Sequence, residues 1–338
     1  MKNITFTYFF ILLFFLLFLD ISLGTYYPFT NFFLSLIKLE FLNNKEFTFV
    51  LTEIRLPRVF SAISVGAALS ISGLLMQTLF RNPLAEPYLL GISSGSSLFV
   101  SIILLSSSSI LIHPIVKSLN ITMASILGAL LFTIIILIIS YRIKNEITLL
   151  IIGLLIATVS NSIITLLQYL SLPENIKNII LWHSASLSGS SLFKAIILFL
   201  ISLFFLRYLL KNSIKYDTWL LGNDQAISLG INIKKLRLIT LVIISILTGF
   251  SISLYGPIAF IGIISPHISR LLAKTGSHNI LIPLTFYCGM LFMLFIDIAI
   301  QLLTISGLII SPPTNSIISI FALPLLINII IKKKELWI

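Results

Sequence analysis

One short stretch of this apolar chain concentrates charged and polar residues beside two prolines. Only 10% of the 338 residues are charged, yet "RNPLAEP", residues 81–87, holds an arginine, an asparagine, a glutamate and two prolines between long apolar runs. Each proline lacks a backbone donor and disfavours helix in the residue before it. We therefore predict a break in the backbone, with one helix ending near Phe80 and Asn82 bonding freed backbone groups.

Two interpretations of this break remain open at this point. A capped helical hairpin would place Glu86 in the first turn of a helix beginning near Tyr88, where the helix dipole favours negative charge. A broken segment beside a solute path is the alternative, because irregular backbone at membrane depth lines cavities. The small residues of "GAALSISG", 66–73, and "GISSGSS", 91–97, favour the second interpretation, since they let helices pack closely or leave room beside them.

Residue types suited to catalysis or metal binding are sparse. The single cysteine, Cys288, excludes an intramolecular disulfide and a thiolate metal cluster. The four histidines lack ligand spacing such as HExxH, and no GxxxxGK[ST] phosphate loop occurs. We predict no catalytic and no metal-binding residue, so any ATP hydrolysis must take place in another chain.

The elements that position these residues must be membrane helices. With 58% hydrophobic residues and a mean hydropathy of +1.11, the chain has more apolar surface than a soluble domain of its size can bury. About ten apolar segments predict an all-α polytopic membrane protein. They are residues 6–23, 57–79, 88–107, 119–140, 148–170, 192–210, 236–254, 257–273, 280–303 and 315–331.

The distribution of cations orients these helices. An even number of spans puts both termini on one side, and most of the 22 Lys and Arg residues then fall on that side, which the positive-inside rule identifies as the cytoplasm. The net charge of +11 thus reflects membrane topology, since no basic face with interleaved aromatics indicates a nucleic-acid partner. We predict a multi-pass protein of the plasma (inner) membrane with both termini cytoplasmic.

Two further stretches interrupt the apolar pattern. Residues 211–237 form the longest polar segment, in which Asp224 offers an N-cap, a helical patch runs to Leu229 and Gly230 is suited to a C-cap. This segment is either a plain loop or a docking surface for a soluble partner. "YGPIAFIGIISPHISRLLAKTG", 255–276, is a second broken segment, a pattern typical of transporters built from repeats.

Four stretches together resemble the FecCD permeases, membrane subunits of ATP-binding-cassette (ABC) importers for iron chelates, haem and cobalamin. They are "RLPR", "GAALSISGLLMQTLFRNPLAEPYLLGISSG", "WLLGNDQAISLG" and "GPIAFIGIISPHISRLL". The resemblance runs in order from about residue 55 to 330. It implies a type II ABC importer permease fold with two weakly related halves, one transmembrane domain over 1–338, and a bacterial or archaeal plasma membrane.

The resemblance also implies partners and residue roles. The partners are a second permease subunit, identical or a close paralogue, two cytoplasmic ABC ATPases and an extracytoplasmic solute-binding protein; this chain is not an enzyme and binds no cofactor, ATP being used by the ATPases. Arg55 and Arg58 of "RLPR" would dock glutamates of the binding protein, although cations snorkelling at the interface are an equal interpretation. Asn82 and Leu84 would belong to a cytoplasmic gate.

The remaining roles concern coupling and the path. The polar loop, about 212–235, would seat short coupling helices on the ATPase through Ala226, Leu229 and Gly230. The solute path should be lined by small and hydroxylated residues of the fifth helix, with three candidates: Ser160, Asn161 and Thr165.

Three positions depart from the family's pattern. Asp297 is followed four residues later by Gln301 where the family usually has arginine, so one expected outer docking cation is absent. The glutamate-leucine-proline-any-glycine motif reads "SPPTN", 311–315, and keeps only Pro313. A family glycine is replaced by Ala185 in "WHSASL".

Cargo is the least determined property. Ferric siderophore is the predicted cargo because it is the broadest class in the family, with haem or cobalamin as alternatives. An ion-coupled secondary transporter is the alternative from a different class. It would need ionisable groups near the middle of the membrane, and of the 11 acidic residues only Asp20 and Asp297 lie within apolar runs.

Overall fold

The computed structural model describes residues 2–24, 32, 35, 44–105, 121–143, 145–189, 191–307 and 312–332. Within these ranges the chain is helical and has no β-strand. The helices are α1 (Lys2–Ser22), α2 (Lys45–Phe49), α3 (Leu56–Phe80), α4 (Ile92–Leu105), α5 (Ile121–Arg142), α6 (Glu146–Tyr169), α7 (Pro173–His183), α8 (Leu192–Lys211), α9 (Ser213–Leu220), α10 (Asn223–Ser228), α11 (Ile233–Tyr255), α12 (Ile261–Ala273), α13 (His278–Ile305) and α14 (Thr314–Lys332).

The membrane helices agree with the predicted segments one for one. In the described part, six helical stretches are long and apolar enough to cross a membrane: α2 continued through a π-helical segment into α3, then α5, α6, α8, α11 and α13. Shorter apolar helices account for the other segments and lie in α1, α4, α12 and α14. The prediction of an all-α polytopic membrane protein is confirmed, although the predicted ends at 107 and 119 lie outside the described residues.

Helix α3 lies at the centre of the bundle and packs against α8, α11, α12 and α13. Glycines allow two of these contacts: a Cβ built on Gly66 would lie 2.3 Å from the carbonyl oxygen of Gly289, and one on Gly73 would lie 1.9 Å from that of Gly262. Backbones this close leave no room for a methyl group. The close packing predicted from "GAALSISG" is thus observed, on both of its glycines.

The peripheral helices keep most of their surface outside the bundle. Each span has its own most apolar stretch. Of that stretch, 94% is buried inside the protein in the α2–α3 span, but only 28% in α6 and 28% in α8. Large apolar side chains cover the exposed faces, such as Leu155 on α6 and Phe204 on α8. Such faces suit lipid or a second membrane subunit.

The first break differs in detail from the prediction. Helix α3 ends at Phe80 as predicted, with Arg81 in the left-handed region at φ 45°. The next helix, however, begins at Ile92 and not near Tyr88, because Pro87–Leu90 forms a separate 3₁₀ turn. Irregular backbone and a short 3₁₀ turn therefore separate Phe80, the last residue of α3, from Ile92, the first residue of α4.

The second break and the polar loop are also helical interruptions. Gly256 and Phe260 adopt positive φ between α11 and α12, as expected for the broken segment. In the polar loop, the N-cap of α10 is Gly222 and not Asp224: the Ala226 N–H bonds the Gly222 carbonyl, which puts Asp224 in the first turn. The predicted C-cap at Gly230 is confirmed by its φ of 80° and its N–H bond to Ile227.

Candidate functional site

The two broken segments contact each other inside the bundle. Gly73 lies seven residues before the C-terminal end of α3, about 10 Å from it along the helix, and faces Gly262 near the start of α12. The buried Glu86 carboxylate accepts a hydrogen bond from the Phe260 N–H. Glu86 was predicted to stabilise its own helix; it lies instead at the N-terminus of α12, because the 3₁₀ turn separates it from α4.

A tight turn follows α3. The Asn82 side-chain oxygen accepts from the Leu84 N–H at 3.0 Å, and the Ala85 N–H bonds the Asn82 carbonyl at 3.0 Å. The predicted use of Asn82 to bond freed backbone groups is confirmed. The turn presents Leu84, 45% exposed, on the surface, so the two predicted gate residues share one short and internally bonded turn.

The polar loop is attached to this turn. One guanidinium nitrogen of Arg81 donates to the Trp219 carbonyl at 3.2 Å and to the Asn223 side-chain oxygen at 2.8 Å. The Trp219 indole N–H donates to the same Asn223 oxygen at 3.0 Å. Helices α9 and α10 are therefore joined to the residue that ends α3, a connection that sequence reasoning missed because the partners lie more than a hundred positions apart.

The three predicted coupling residues divide into an anchor and an exposed end. Ala226 is fully buried, whereas Leu229 is 68% exposed and Gly230 terminates α10 with open space around it. Ile227, 59% exposed, lies beside Leu229 on the outer side. The loop thus presents the exposed apolar side chains of Ile227 and Leu229 on α10, and the buried Ala226 anchors this short helix to the protein.

A second connection to the polar loop runs through α13. Asp217 of α9 accepts from the His278 backbone N–H and from its ring Nδ1, both at 2.7 Å, and from the Ser277 hydroxyl at 3.3 Å. Burial acts to raise the pKa of Asp217, but the hydrogen bonds from His278 and Ser277 outweigh it and hold that pKa below its ordinary value. Asp217 is therefore a charged cap at the start of α13.

At the opposite end of α3, both arginines of "RLPR" have partners within the chain. Arg55 is buried, donates to the Ile21 and Ser22 carbonyls at 2.8 and 3.1 Å, and packs 4.1 Å from the Phe32 ring centroid. Arg58 makes a two-pronged ion pair with Asp297, with both nitrogens 2.8 Å from a carboxylate oxygen. The predicted docking role stays a prediction, and in this conformation it would require Arg58 to exchange partners.

The departures from the family's pattern have structural roles. Gln301 donates to Asp20 and, at 3.1 Å, to Asp297, so it joins α1 to α13 inside the protein. Asn315 accepts from the Ala259 N–H at 3.3 Å and donates to the Pro257 and His183 carbonyls, which fastens α14 to the second break. Ser311, in the same altered motif, lies outside the described residues.

The candidate path residues of α6 lie on two different faces. Asn161 and Thr165 are exposed, but Ser160 is buried on the opposite face and donates to the Ile156 carbonyl at 2.8 Å. Ser160 therefore does not share a surface with the other two. The exposed polar face is a stripe at helical spacing, and its members are Thr158, Asn161, Ser162 and Thr165.

Comparison with known proteins agrees with this architecture. A solved structure described as an inward-facing conformation of a metal-chelate type ABC transporter has a TM-score of 0.83 at 24% identity, covering 98% of this chain and 100% of that chain, which shows the fold. A probable iron chelatin transport system permease protein of Helicobacter pylori is 33% identical over 79% of this chain and 80% of its own length. The vitamin B12 import system permease protein BtuC of Vibrio cholerae is 33% identical over 75% of each chain.

The match to a family model extends further along the chain than either relative. It covers residues 12–332, which includes both broken segments, the polar loop and the outer ion pair. The resemblance predicted from the four sequence stretches is confirmed, and this chain belongs to the FecCD transport family.

Proposed function

We propose that this chain is the membrane-spanning permease of an ATP-driven importer that carries a metal chelate, with ferric siderophore as the cargo, across the plasma membrane of a bacterium or archaeon. The observation that supports this most is the attachment of the α9–α10 loop to the turn at Asn82 and Leu84 through Arg81. A loop that seats on an ATPase can then displace the residues at the end of a broken membrane helix.

In this proposal, residues 1–338 form one transmembrane domain that pairs with a second permease subunit around a central path. Asn161 of the polar stripe supports the pairing, because a side-chain amide is costly against lipid and suits a water-filled path or a partner helix. The hydroxyls of the stripe donate to backbone carbonyls of α6 itself. Asn161 and Thr165 line the path. Two cytoplasmic ATPases bind the 212–235 loop at the exposed Leu229 and Gly230, while the buried Ala226 anchors α10 to the rest of the protein. An extracytoplasmic binding protein delivers the cargo.

The mechanism follows from these contacts. ATP binding moves α9 and α10, and Arg81 transmits this movement to the turn at Asn82 and Leu84. Leu84 then opens or closes the cytoplasmic end of the proposed path. Glu86 keeps the start of α12 attached to the same segment, so both breaks respond together. The chain uses no cofactor of its own in this mechanism, since ATP is consumed by the partner.

Metal chelates are the cargo class that the donor groups suit. Among the described residues, no three His, Cys, Asp or Glu side chains come together to hold a metal ion. A path without such ligands does not compete with the chelator for its metal. Cobalamin and haem are second candidates, and cobalamin is supported by the similarity to the vitamin B12 import system permease protein of Vibrio cholerae.

Reconstituted transport tests the proposal. The chain, co-expressed with an ATPase and a binding protein from its source organism, is placed in liposomes, and uptake of labelled ferric siderophores, haem and cobalamin is measured with ATP, without ATP and with an ionophore. We expect ATP-dependent uptake of a ferric siderophore that the ionophore leaves unchanged. Uptake that needs no ATP and collapses with the ionophore would instead establish an ion-coupled carrier, and ATP-dependent uptake of cobalamin or haem alone would correct the cargo.

A further inference from the structure

Two separate attachments join helix α9 to the last turn of α3, and the second runs through a buried histidine. His278 places its ring Nε2 2.8 Å from the Thr78 hydroxyl, while its other ring nitrogen donates to Asp217. Thr78 lies three residues before Arg81, which carries the first attachment. Asp217, His278 and Thr78 thus form a continuous hydrogen-bonded chain from the polar loop, through the start of α13, to α3.

The hydrogen bonds from Asp217 through His278 to Thr78 are held in place by the surrounding structure. His278 and Thr78 are 1% and 3% exposed, so water does not replace their hydrogen bonds easily. The Tyr216 ring packs 5.8 Å from the His278 ring, centroid to centroid, and is itself fully buried. The bond from Asp217 is charge-assisted and lies at a helix N-terminus, where a carboxylate is stabilised. A displacement of α9 must therefore be carried by these residues or must break them.

We propose that Asp217, His278 and Thr78 are positioning residues that, together with Arg81, convert movement of α9 into rotation of the last turn of α3. A single attachment to α9 would leave the last turn of α3 free to rotate about that one contact. Two attachments one helical turn apart on α3 fix orientation as well as distance. The turn at Asn82 and Leu84 directly follows them, so its direction depends on both. This inference rests on the proposed function and names residues that the family resemblance did not supply.

Paired substitutions at Thr78 give the sharpest test. Thr78→Val keeps the side-chain volume and removes the hydroxyl, whereas Thr78→Ser keeps the hydroxyl. In the reconstituted importer we measure ATP hydrolysed per chelate transported. We expect Thr78→Val to raise this ratio about fivefold, because it removes the buried hydroxyl that contacts both the His278 ring and the Leu74 carbonyl. Thr78→Ser keeps a hydroxyl that can make both contacts and should leave the ratio within about twofold of the unchanged protein.

The ratio separates positioning from simple structural support. A substitution that only reduces the amount of folded complex lowers hydrolysis and transport in proportion and leaves the ratio unchanged. Equal ratios for Thr78→Val and Thr78→Ser would therefore overturn the proposal. If the unsubstituted importer shows no ATP-dependent transport at all, it is the proposed function that fails, which is a distinguishable result.

A double substitution checks that the three residues act as one connection. Asp217→Asn alone should also raise the ratio, by about five- to tenfold because its bond is charge-assisted. Once either member is lost the connection is already broken, so Asp217→Asn combined with Thr78→Val should give a ratio close to that of the larger single effect. Ratios that multiply would show two independent contributions and would contradict a single connection.

Discussion

Single polar side chains hold together the places where this chain departs from regular helix. Asn315 bonds two backbone groups within the second break, those of Pro257 and Ala259, and the carbonyl of His183 at the end of α7. It occupies the position where the family's motif has glycine, so an amide replaces a residue that could bond nothing with a side chain. The change from glycine to Asn315 therefore adds hydrogen bonds that stabilise the second break.

Ala185 gives the clearest prediction for a single residue. It adopts φ 55°, in the left-handed region where a Cβ is strained, and the family has glycine near this point. We expect Ala185→Gly to raise the free energy of unfolding by about 1 kcal/mol. Thermal unfolding of the purified protein in detergent measures the change.

A matched control separates relief of strain from a general effect of glycine. Ala62 lies buried within α3 with right-handed backbone, so Ala62→Gly should lower the free energy of unfolding by about 1 kcal/mol or more. The same sign for both substitutions would contradict the strain at Ala185.

Local contacts could be predicted from sequence, whereas distant partners could not. Asn82 and Gly230 behave as predicted because their partners lie within a few positions. The partner of Glu86 is 174 positions away and that of Arg58 is 239 positions away, and nothing in one sequence pairs them. The docking prediction for Arg58 considered its charge alone, and the structure shows that Asp297 already neutralises it.

At the scale of helices, the apolar runs fixed the number and order of the membrane elements, but the breaks were harder to place. The proline rule locates the end of α3 well and the start of α4 four residues too early, since a proline also fits the first position of a 3₁₀ turn. The small residues of "GAALSISG", 66–73, predicted close helix packing but did not indicate which helix would be the partner. Gly262 was noted only as part of the second broken segment, not as a packing partner of α3, and Gly289 stood out in no motif.

The glycine contacts of α3 predict an asymmetry between otherwise similar substitutions. Gly73→Ala would place a methyl group against the Gly262 backbone and should lower the free energy of unfolding by about 1–3 kcal/mol as the two helices move apart. Gly276→Ala, where no heavy atom lies within 4 Å, should change it by less than about 0.5 kcal/mol. Comparable melting temperatures for both variants would show that α3 and α12 are not in close contact.

The end of α10 offers a test of coupling at the same scale. Gly230→Pro removes the N–H that bonds Ile227 and demands φ near −65°, so it should disrupt the end of the helix. We expect ATP hydrolysis without uptake in the reconstituted complex. Gly230→Asn is the control, because asparagine tolerates the left-handed region, and it should keep most of the uptake. Normal uptake with proline would indicate that the loop is only a linker.

For the whole molecule, we expect the polar stripe of α6 to face the proposed path. In a Cys288→Ser background, Asn161→Cys should react with a charged thiol reagent about tenfold faster than Phe204→Cys, whose exposed position on α8 is apolar, because the reactive thiolate forms in water and not in lipid. The rate at position 161 should also change when nucleotide is added.

Ser160→Cys serves as the matched control on the same helix. Its side chain lies on the buried face, so the reagent should not reach it in either nucleotide state. Equal labelling at 160 and 161, or labelling at 204 as fast as at 161, would show that α6 does not border an aqueous path.

The backbone contacts of Gly66 with Gly289 and of Gly73 with Gly262 also constrain how this sequence can evolve. A Cβ on Gly66, Gly73 or Gly289 would lie within 2.3 Å of the facing backbone, and one on Gly262 would lie 3.2 Å from the Gly73 Cα, so alanine at any of them requires the two helices to shift. Ordinary packing pairs can trade a large residue for a small one across a contact. These pairs have no such exchange, and lineages descending from this chain should keep all four glycines or rebuild the crossing of the helices.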